Sequence, residues 1–317
     1  GTIQYLIICF IGIPFITAYN IISSIYRGLG DSKSPMYIIA IACLLNIVLD
    51  YLFIGLFHMG PIGAALGTTV SQSVSVLIAL ISMKYRTSDI HIKKEDLHLQ
   101  SQVFKQILKV GFPVAIQDGC IQVAFIIITI IANSRGLNDA AAVGIVEKMI
   151  TAIFIIPSTM LATVSALSAQ NIGAKDYGRA RAVLKYAVMI TTLYGIIVAL
   201  IVEFCAPTLL GLFTKDTTVI LLGVQYISSY IIDTIFAGIH FSFSGYFAAD
   251  GKSYIGFIHN IISISLVRVP GSYIASIMYP HNLFPMGLAA PLGSVLSVII
   301  CLIAYCILKK KDELSVL

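Results

Sequence analysis

The sequence predicts an all-α polytopic membrane protein, and three observations carry that prediction. Of its 317 residues, 58% are hydrophobic and only 11% are charged, where a soluble domain carries roughly 25% charge. Apolar runs of about 18 residues or more, long enough to cross a hydrocarbon core, recur along the whole chain, and mean hydropathy is +0.95. These runs are continuous rather than alternating, with Pro and Gly at their breaks, which is the pattern of spanning helices and not of a membrane barrel. An ordinary globular enzyme is thereby excluded. The net charge of +5 sits in short loops between spans, where lipid topology accounts for it and nucleic acid does not.

Nine helices are predicted in order. The first covers 3–26 and stops at the Gly28 and Gly30 loop; the second, 35–57, opens on Pro35, and the third, 61–83, on Pro61. A loop of mixed charge, 84–106, leads into Leu99, Val103, Ile107 and Val110, spaced at three or four residues. That spacing predicts an amphipathic helix on the membrane surface joining two bundles, with a plain solvated connector as the other reading for 84–96. The fourth span, 107–131, has Gly111 and Pro113 near its start, which predicts a bend there. The remaining spans are 140–168, 180–205, 217–247, 254–279 and 286–308.

Charge placement orients them. Sixteen Lys and Arg residues fall in one set of alternate loops and two, Arg135 and Lys215, in the other, while Lys148 and Arg268 lie within spans. Basic loops face the cytoplasm, so the asymmetry predicts nine crossings with the C-terminus inside. The run Lys311-Asp312-Glu313-Leu314 resembles a retrieval signal, but Ser315-Val316-Leu317 follow it and such signals are read only at the extreme end. Cys9, Cys43, Cys120, Cys205, Cys301 and Cys306 are scattered through apolar segments without metal or redox spacing, and read as small buried hydrophobes.

An internal repeat organises the chain. Gln4-Tyr5 aligns with Gln225-Tyr226 at an offset of 221, which also places Gly30 on Gly251 and Ser32 on Ser253. With three inserted residues, Ile62-Gly63-Ala64-Ala65 falls on Met286-Gly287-Leu288-Ala289. The second copy holds six helices and the first only three. Two equal copies would place a further three helices, roughly 120 residues, before Gly1, which would make twelve helices in two halves related by an axis along the membrane normal. The opening Gly1-Thr2-Ile3, without Met and inside an apolar span, is expected to mark a fragment. The predicted division is 1–85 for the remnant of a first lobe, 86–106 for the connector, 107–308 for a second lobe and 309–317 for a cytoplasmic tail.

A charge near the bilayer centre costs about 2.5–3.5 kcal/mol on insertion scales, so each ionisable group within a span is a site candidate. Asn46 and Asp50 are four apart on the second helix and share one face, and Thr68 on the next helix offers a hydroxyl. Such oxygens suit a hard monovalent cation, and the same carboxylate can instead carry a proton. The competing reading makes Asp50 a helix-end cap and Asn46 an interhelical bond. Asp118 follows Pro113 and either faces a substrate cavity or braces the bend. Glu147 and Lys148 are adjacent and point about 100° apart, so they pair with other helices, with Asp118 or Asp233 as partners for Lys148. Asp233 falls mid-span, and Arg268 needs a counter-ion, either in a relay or as a structural lock. Tyr19, Tyr26, Tyr194, Tyr230, Phe236, Phe241, Phe243 and Tyr246 line a drug cavity or, more simply, pack or face lipid. There is no P-loop, HExxH or GxSxG motif, so neither ATP hydrolysis nor a familiar hydrolase is supported.

Three consecutive stretches, Arg27-Gly28-Leu29-Gly30-Asp31-Ser32-Lys33-Ser34-Pro35, Asn46-Ile47-Val48-Leu49-Asp50 and Gly63-Ala64-Ala65-Leu66-Gly67-Thr68-Thr69-Val70-Ser71-Gln72, resemble signatures of the multidrug and toxic compound extrusion (MATE) family. Ala169-Gln170-Asn171-Ile172-Gly173-Ala174 resembles the family's loop after its eighth helix. The resemblance is to the bacterial drug-exporter branch more than to the flippases of the superfamily. It implies a two-lobe bundle of twelve helices, of which this chain would hold the fourth to the twelfth. It also implies export of amphipathic organic compounds by alternating access, coupled to Na⁺ or H⁺, by a monomer in the bacterial cytoplasmic membrane with no other cofactor and no nucleic-acid partner. Family members bind the coupling cation through an Asp on the first helix, an Asn and an Asp on the fifth and a Thr on the sixth; the last three match Asn46, Asp50 and Thr68. The first-helix Asp would precede Gly1. Some members use a Glu on the seventh helix and an Asp on the tenth, against which Asp118 and Asp233 do not align securely. The alternatives are a lipid-linked saccharide flippase, which calls for a wide basic cavity, and a membrane protein without transport.

Overall fold

The computed structural model describes the backbone of residues 2–85 and 100–314 and the side chains of 3–85 and 100–309. The predicted connector over 86–99 and the tail residues 315–317 lie outside the described residues. Every regular element among the described residues is helical. The chain divides into two compact units, the first up to Tyr85 and the second from Gln100.

The described residues of the first unit form three helices. α1 (Thr2–Gly28) crosses to a turn, α2 (Lys33–Asp50) continues without interruption as a π-helical segment (Tyr51–Leu56), and α3 (Pro61–Tyr85) completes the unit. Pro61 opens α3 at the one end of a helix where a missing N–H costs nothing. α1 packs closely on α3 because Gly12 lacks a side chain: a Cβ there would meet Thr69 Oγ1 at 2.9 Å. Thr69 itself donates to the Ile8 carbonyl at 3.2 Å. Tyr19, Ile22, Tyr26, Ile38, Val76 and Ala79 form the apolar core, and the Tyr19 hydroxyl donates to the Pro35 carbonyl at 2.8 Å.

The second unit runs through α4 (Ser101–Arg135), α5 (Leu137–Ile153), α6 (Ile155–Gly173), α7 (Tyr177–Gly211), α8 (Thr217–Tyr230), α9 (Asp233–Ala249), α10 (Ser253–Ser263), a second π-helical segment (Ile264–Arg268), α11 (Val269–Met278) and α12 (Phe284–Leu314). Two apolar clusters form its core. One joins α4, α5, α7, α8 and the start of α12 through residues such as Ile128, Val146, Leu210, Ile227 and Met286; the other joins α6, α7, α9 and α12 through Val164, Leu184, Phe247 and Cys301. On α9 and α12 the stretch between these clusters carries Asp233, His240, Ser294 and Ser297, all buried. A polar layer therefore lies between two greasy ones. α9 approaches its neighbours at backbone distance: a Cβ at Gly195 on α7 would meet Ile235 Cα at 2.7 Å, and one at Gly238 would meet Thr191 Cβ at 2.5 Å. Small residues at such crossings are how helices associate where no hydrophobic force acts between them. Arg135, at the end of α4, joins Asp139 at 2.6 Å and donates to the Ser276, Tyr279 and Pro280 carbonyls, closing the end of α11.

Among the described residues eight helices are long and apolar enough to cross a membrane, and the pair α8 and α9, bent by 42° at their junction, makes a ninth if counted as one span. Large apolar side chains face outward on them, Phe204 at 82% and Leu266 at 69% exposure among them, as lipid contact requires. Three details differ from the sequence reading. The periodicity through Val103, Ile107 and Val110 belongs to α4 itself, an unbroken helix from Ser101 with Pro113 inside it, and not to a separate surface helix. The predicted single helix 140–168 is interrupted at Phe154, and 217–247 between Tyr230 and Asp233. Cys301 is buried as expected, but Cys43, Cys205 and Cys306 are exposed and Cys9 and Cys120 half-buried, because in lipid an apolar sequence neighbourhood does not imply the interior.

Two helix ends that the offset of 221 pairs share one backbone geometry. Gly30 and Gly251 both take positive φ, 87° and 69°. At the first turn Gly30 N–H bonds to Arg27 O and Asp31 N–H to Tyr26 O; at the second Gly251 N–H bonds to Ala248 O and Lys252 N–H to Phe247 O. Both sets are the paired bonds of a Schellman helix end, and they coincide at the predicted offset of 221.

Candidate functional site

Among the described residues, polar groups within the spans gather at two places, one in each unit. In the first unit Asn46 and Asp50 lie a turn apart on α2, and Asn46 Nδ2 donates to Asp50 Oδ1 at 3.5 Å, the long limit of a hydrogen bond. Both are half-buried. The helix does not end at Asp50, since the π segment carries it on to Leu56, so this carboxylate is not a cap. From α3 the residue facing it is Gly67: a Cβ there would collide with Asp50 Oδ1 and lie 3.4 Å from Asn46 Nδ2. The absent side chain makes room for the carboxylate. Thr68 is exposed and its hydroxyl donates to the Ala64 carbonyl at 3.0 Å, the back-bond that Thr makes inside helices. Asn46 and Asp50 are thus brought together with Gly67, while Thr68 makes no hydrogen bond to Asp50 among the described residues.

The second place is the polar layer of the second unit. The break between α8 and α9 puts Asp233 in the first turn of α9, where a helix N-terminus favours an anion. The residue expected mid-span is therefore at a helix start inside the protein, and it is fully buried. Its counter-ion is Arg268, with Nη2 at 4.0 Å from Asp233 Oδ2, and not Lys148, which is exposed on α5 and makes no ion pair among the described residues. Arg268 Nη2 donates to the Tyr230 hydroxyl, and its guanidinium carbon lies 5.2 Å from the Phe125 ring centre and 5.5 Å from that of Tyr230. Tyr230 is itself stacked on Tyr226 at 5.6 Å. Glu147 is half-buried, with Oε2 at 3.2 Å from the Thr129 hydroxyl.

A cavity of about 50 Å³ adjoins this pair, lined by Asp233, His240, Asn260, Ser263, Arg268, Ser294 and Ser297 with Phe125 and Phe241, and it can hold more than one water. His240 and His259 meet edge to face at 5.5 Å. His259 Nε2 lies 2.9 Å from Ser244 Oγ and His240 Nε2 lies 3.5 Å from Ser294 Oγ. The sequence reading passed over both histidines and Asn260, although polar residues inside apolar runs were the signal that would have found them. Asp118 is exposed on α4, and its neighbour Gln117 is the buried one, its Oε1 3.2 Å from the position of a Cβ on Gly256. Of the aromatic residues singled out, Tyr19, Tyr26, Tyr230, Phe243 and Tyr246 are buried packing residues, and Tyr194 donates to the Ile153 carbonyl at 2.9 Å.

Fold and sites define a multi-pass helical membrane protein with ionisable groups held inside its spans. The chain belongs to the MatE family, whose model matches residues 2–52 and 113–274. It is 31% identical over 268 residues to "Probable multidrug resistance protein YpnP" of Bacillus subtilis (strain 168), covering 84% of this chain and 59% of that protein. It is 24% identical to "Multidrug export protein MepA" of Staphylococcus saprophyticus, covering 79% of this chain and 55% of that protein. The chain thus spans somewhat over half the length of these two relatives. Its fold matches a solved "Outward-facing conformation of a multidrug resistance MATE family transporter of the MOP superfamily" with a TM-score of 0.90 at 22% identity, over 97% of this chain and 70% of that one. "Crystal structure of MATE in the bent conformation" matches equally, with a TM-score of 0.90 at 21% identity over 99% and 70%.

Proposed function

We propose that the chain is part of a cation-coupled multidrug exporter that moves amphipathic organic compounds across the bacterial cytoplasmic membrane by alternating access. Asp50 exchanges the coupling ion, Na⁺ or H⁺, with Asn46 and Thr68 as further oxygen ligands. The observation that carries this reading is the pairing of Asn46 and Asp50 on a half-buried helix face, with Gly67 leaving the carboxylate its space. A charged carboxylate within a membrane span carries a cost, and a bound cation or proton offsets it. Its occupancy then biases whichever arrangement of α2 and α3 binds it better. Asp118, Glu147, Lys148, Asp233 and Arg268 are the candidates for contacts to substrate or for a relay in the second unit. A flippase for pyrophosphate-linked lipids fits less well, because the cavity beside Asp233 has one arginine and no lysine in its lining, and that arginine, Arg268, faces Asp233.

The test is efflux of ethidium from cells and from proteoliposomes with an imposed Na⁺ or H⁺ gradient, for the protein and its Asp50→Asn variant. Gradient-driven flux is expected to fall at least tenfold in the variant. Flux that keeps its full dependence on the gradient would show that Asp50 is not the exchanging group.

A further inference from the structure

Arg268 is held in an unusual way for a buried cation beside a buried acid. A guanidinium and a carboxylate in direct contact form a paired fork at about 2.7–2.9 Å. Here the nearest approach is 4.0 Å, both oxygens of Asp233 and Arg268 Nε lack hydrogen-bond partners, and the guanidinium instead rests on the ring faces of Phe125 and Tyr230 with a bond to the Tyr230 hydroxyl. Two aromatic faces and a nearby anion are the elements by which proteins recognise organic cations. The Asp233 carboxylate, fully buried with Arg268 as its nearest counter-charge, lines the adjoining cavity.

We propose that Phe125, Tyr230 and Asp233 form a binding cage for a planar organic cation of the guanidinium class, and that Arg268 is its tethered occupant. The side chain that fills the cage sits at an irregular point of its helix. Arg268 is the last residue of the π segment, and Pro270 stands two residues later. Pro has no N–H to bond back along the helix, and a π turn holds one residue more than an α turn would. Conversion of that turn to α geometry rotates one side of the helix against the other by about 100° and takes the guanidinium off the rings. The stem of Arg268 lies against α12 at Gly293, where a Cβ would approach Arg268 Cβ at 3.5 Å. A small spherical ion uses this cage less well than a flat one does, since two of its walls are ring faces without oxygen lone pairs and a hard cation takes several oxygen ligands. While Arg268 is in place, a second cation beside it is repelled in a medium of low dielectric.

The inference goes beyond the coupling role given to Asp50, and its test does not use transport, so each can fail alone. Purified protein in detergent micelles is melted with and without millimolar methylguanidinium. Arg268→Gln is expected to melt below the parent protein and to regain several degrees with methylguanidinium but not with the same concentration of sodium chloride. The parent protein, whose cage is filled, and the double variant D233N/R268Q, whose anion is gone, should not respond. No gain in R268Q, an equal gain with sodium chloride, or an undiminished gain in D233N/R268Q would overturn the proposal. If R268Q does not fold, R268M, which is also uncharged and of similar length, is measured in its place with D233N/R268M as its control, and the same outcomes count for and against.

Discussion

Asp50 depends on a residue that contributes no atoms to its chemistry. A methyl group on Gly67 would occupy the position of Asp50 Oδ1, so Gly67→Ala must push the carboxylate away from Asn46 or separate α2 from α3. Overpacking of that kind costs about 1–3 kcal/mol. The expected outcome is a folded protein with a moderately lowered melting temperature and a loss of gradient-driven flux as deep as that of Asp50→Asn. Wild-type flux in folded Gly67→Ala would mean that the ion does not use this carboxylate. The i, i+4 pair of Asn46 and Asp50 was legible in the sequence because a helix has one period and an apolar run makes polar exceptions conspicuous. Gly67 was not, since only packing between helices reveals which neighbour must be small. Thr68, the next residue, donates its hydroxyl to Ala64 on its own helix.

Three helix ends among the described residues share one bond pattern. α1 and α9 stop at glycines with positive φ, Gly30 and Gly251, whereas α6 stops with the same bond pattern at Lys175, whose φ is 61°. An L side chain in that region strains against its own carbonyl, at roughly 1–2 kcal/mol. Gly251→Ala is therefore expected to lower stability by about 1 kcal/mol, and Lys175→Gly to raise it by up to about the same amount. Denaturant melts of the three proteins in micelles check both signs, and a stabilised Gly251→Ala would contradict the account. The turns themselves were readable from Gly28-Leu29-Gly30 and from the offset that placed Gly30 on Gly251. The interruptions at Phe154 and between α8 and α9 were not. The run through Tyr230, Ile231, Ile232 and Asp233 is as apolar as its surroundings, and what bends it there is tertiary: Asp233 reaches the interior beside Arg268, a residue distant in sequence.

At the scale of the molecule, the bent pair decides the topology. α8 has 14 residues and α9 has 17, so at 1.5 Å per residue they measure about 21 and 25 Å. Neither alone crosses a core of about 30 Å, while the two joined at 42° do so with length to spare. If instead the pair entered and left by the same face, Lys215 and Lys252 would share a side, and everything after them would be inverted. The basic residues then divide twelve to six between the two faces, in place of sixteen to two, and a strong positive-inside bias becomes a weak one. The crossing arrangement therefore predicts that a cysteine at Lys215, in a background cleared of the native cysteines, reacts in intact cells with a membrane-impermeant maleimide. One at Lys252 should react only after the membrane is opened. Labelling of both from outside would make α8 and α9 a re-entrant pair and would place α10, α11 and α12 in the opposite orientation. Asp233 would remain at the bend in either case, but its helix N-terminus would then lie at the tip of a loop entering from outside, instead of partway along a path through the membrane.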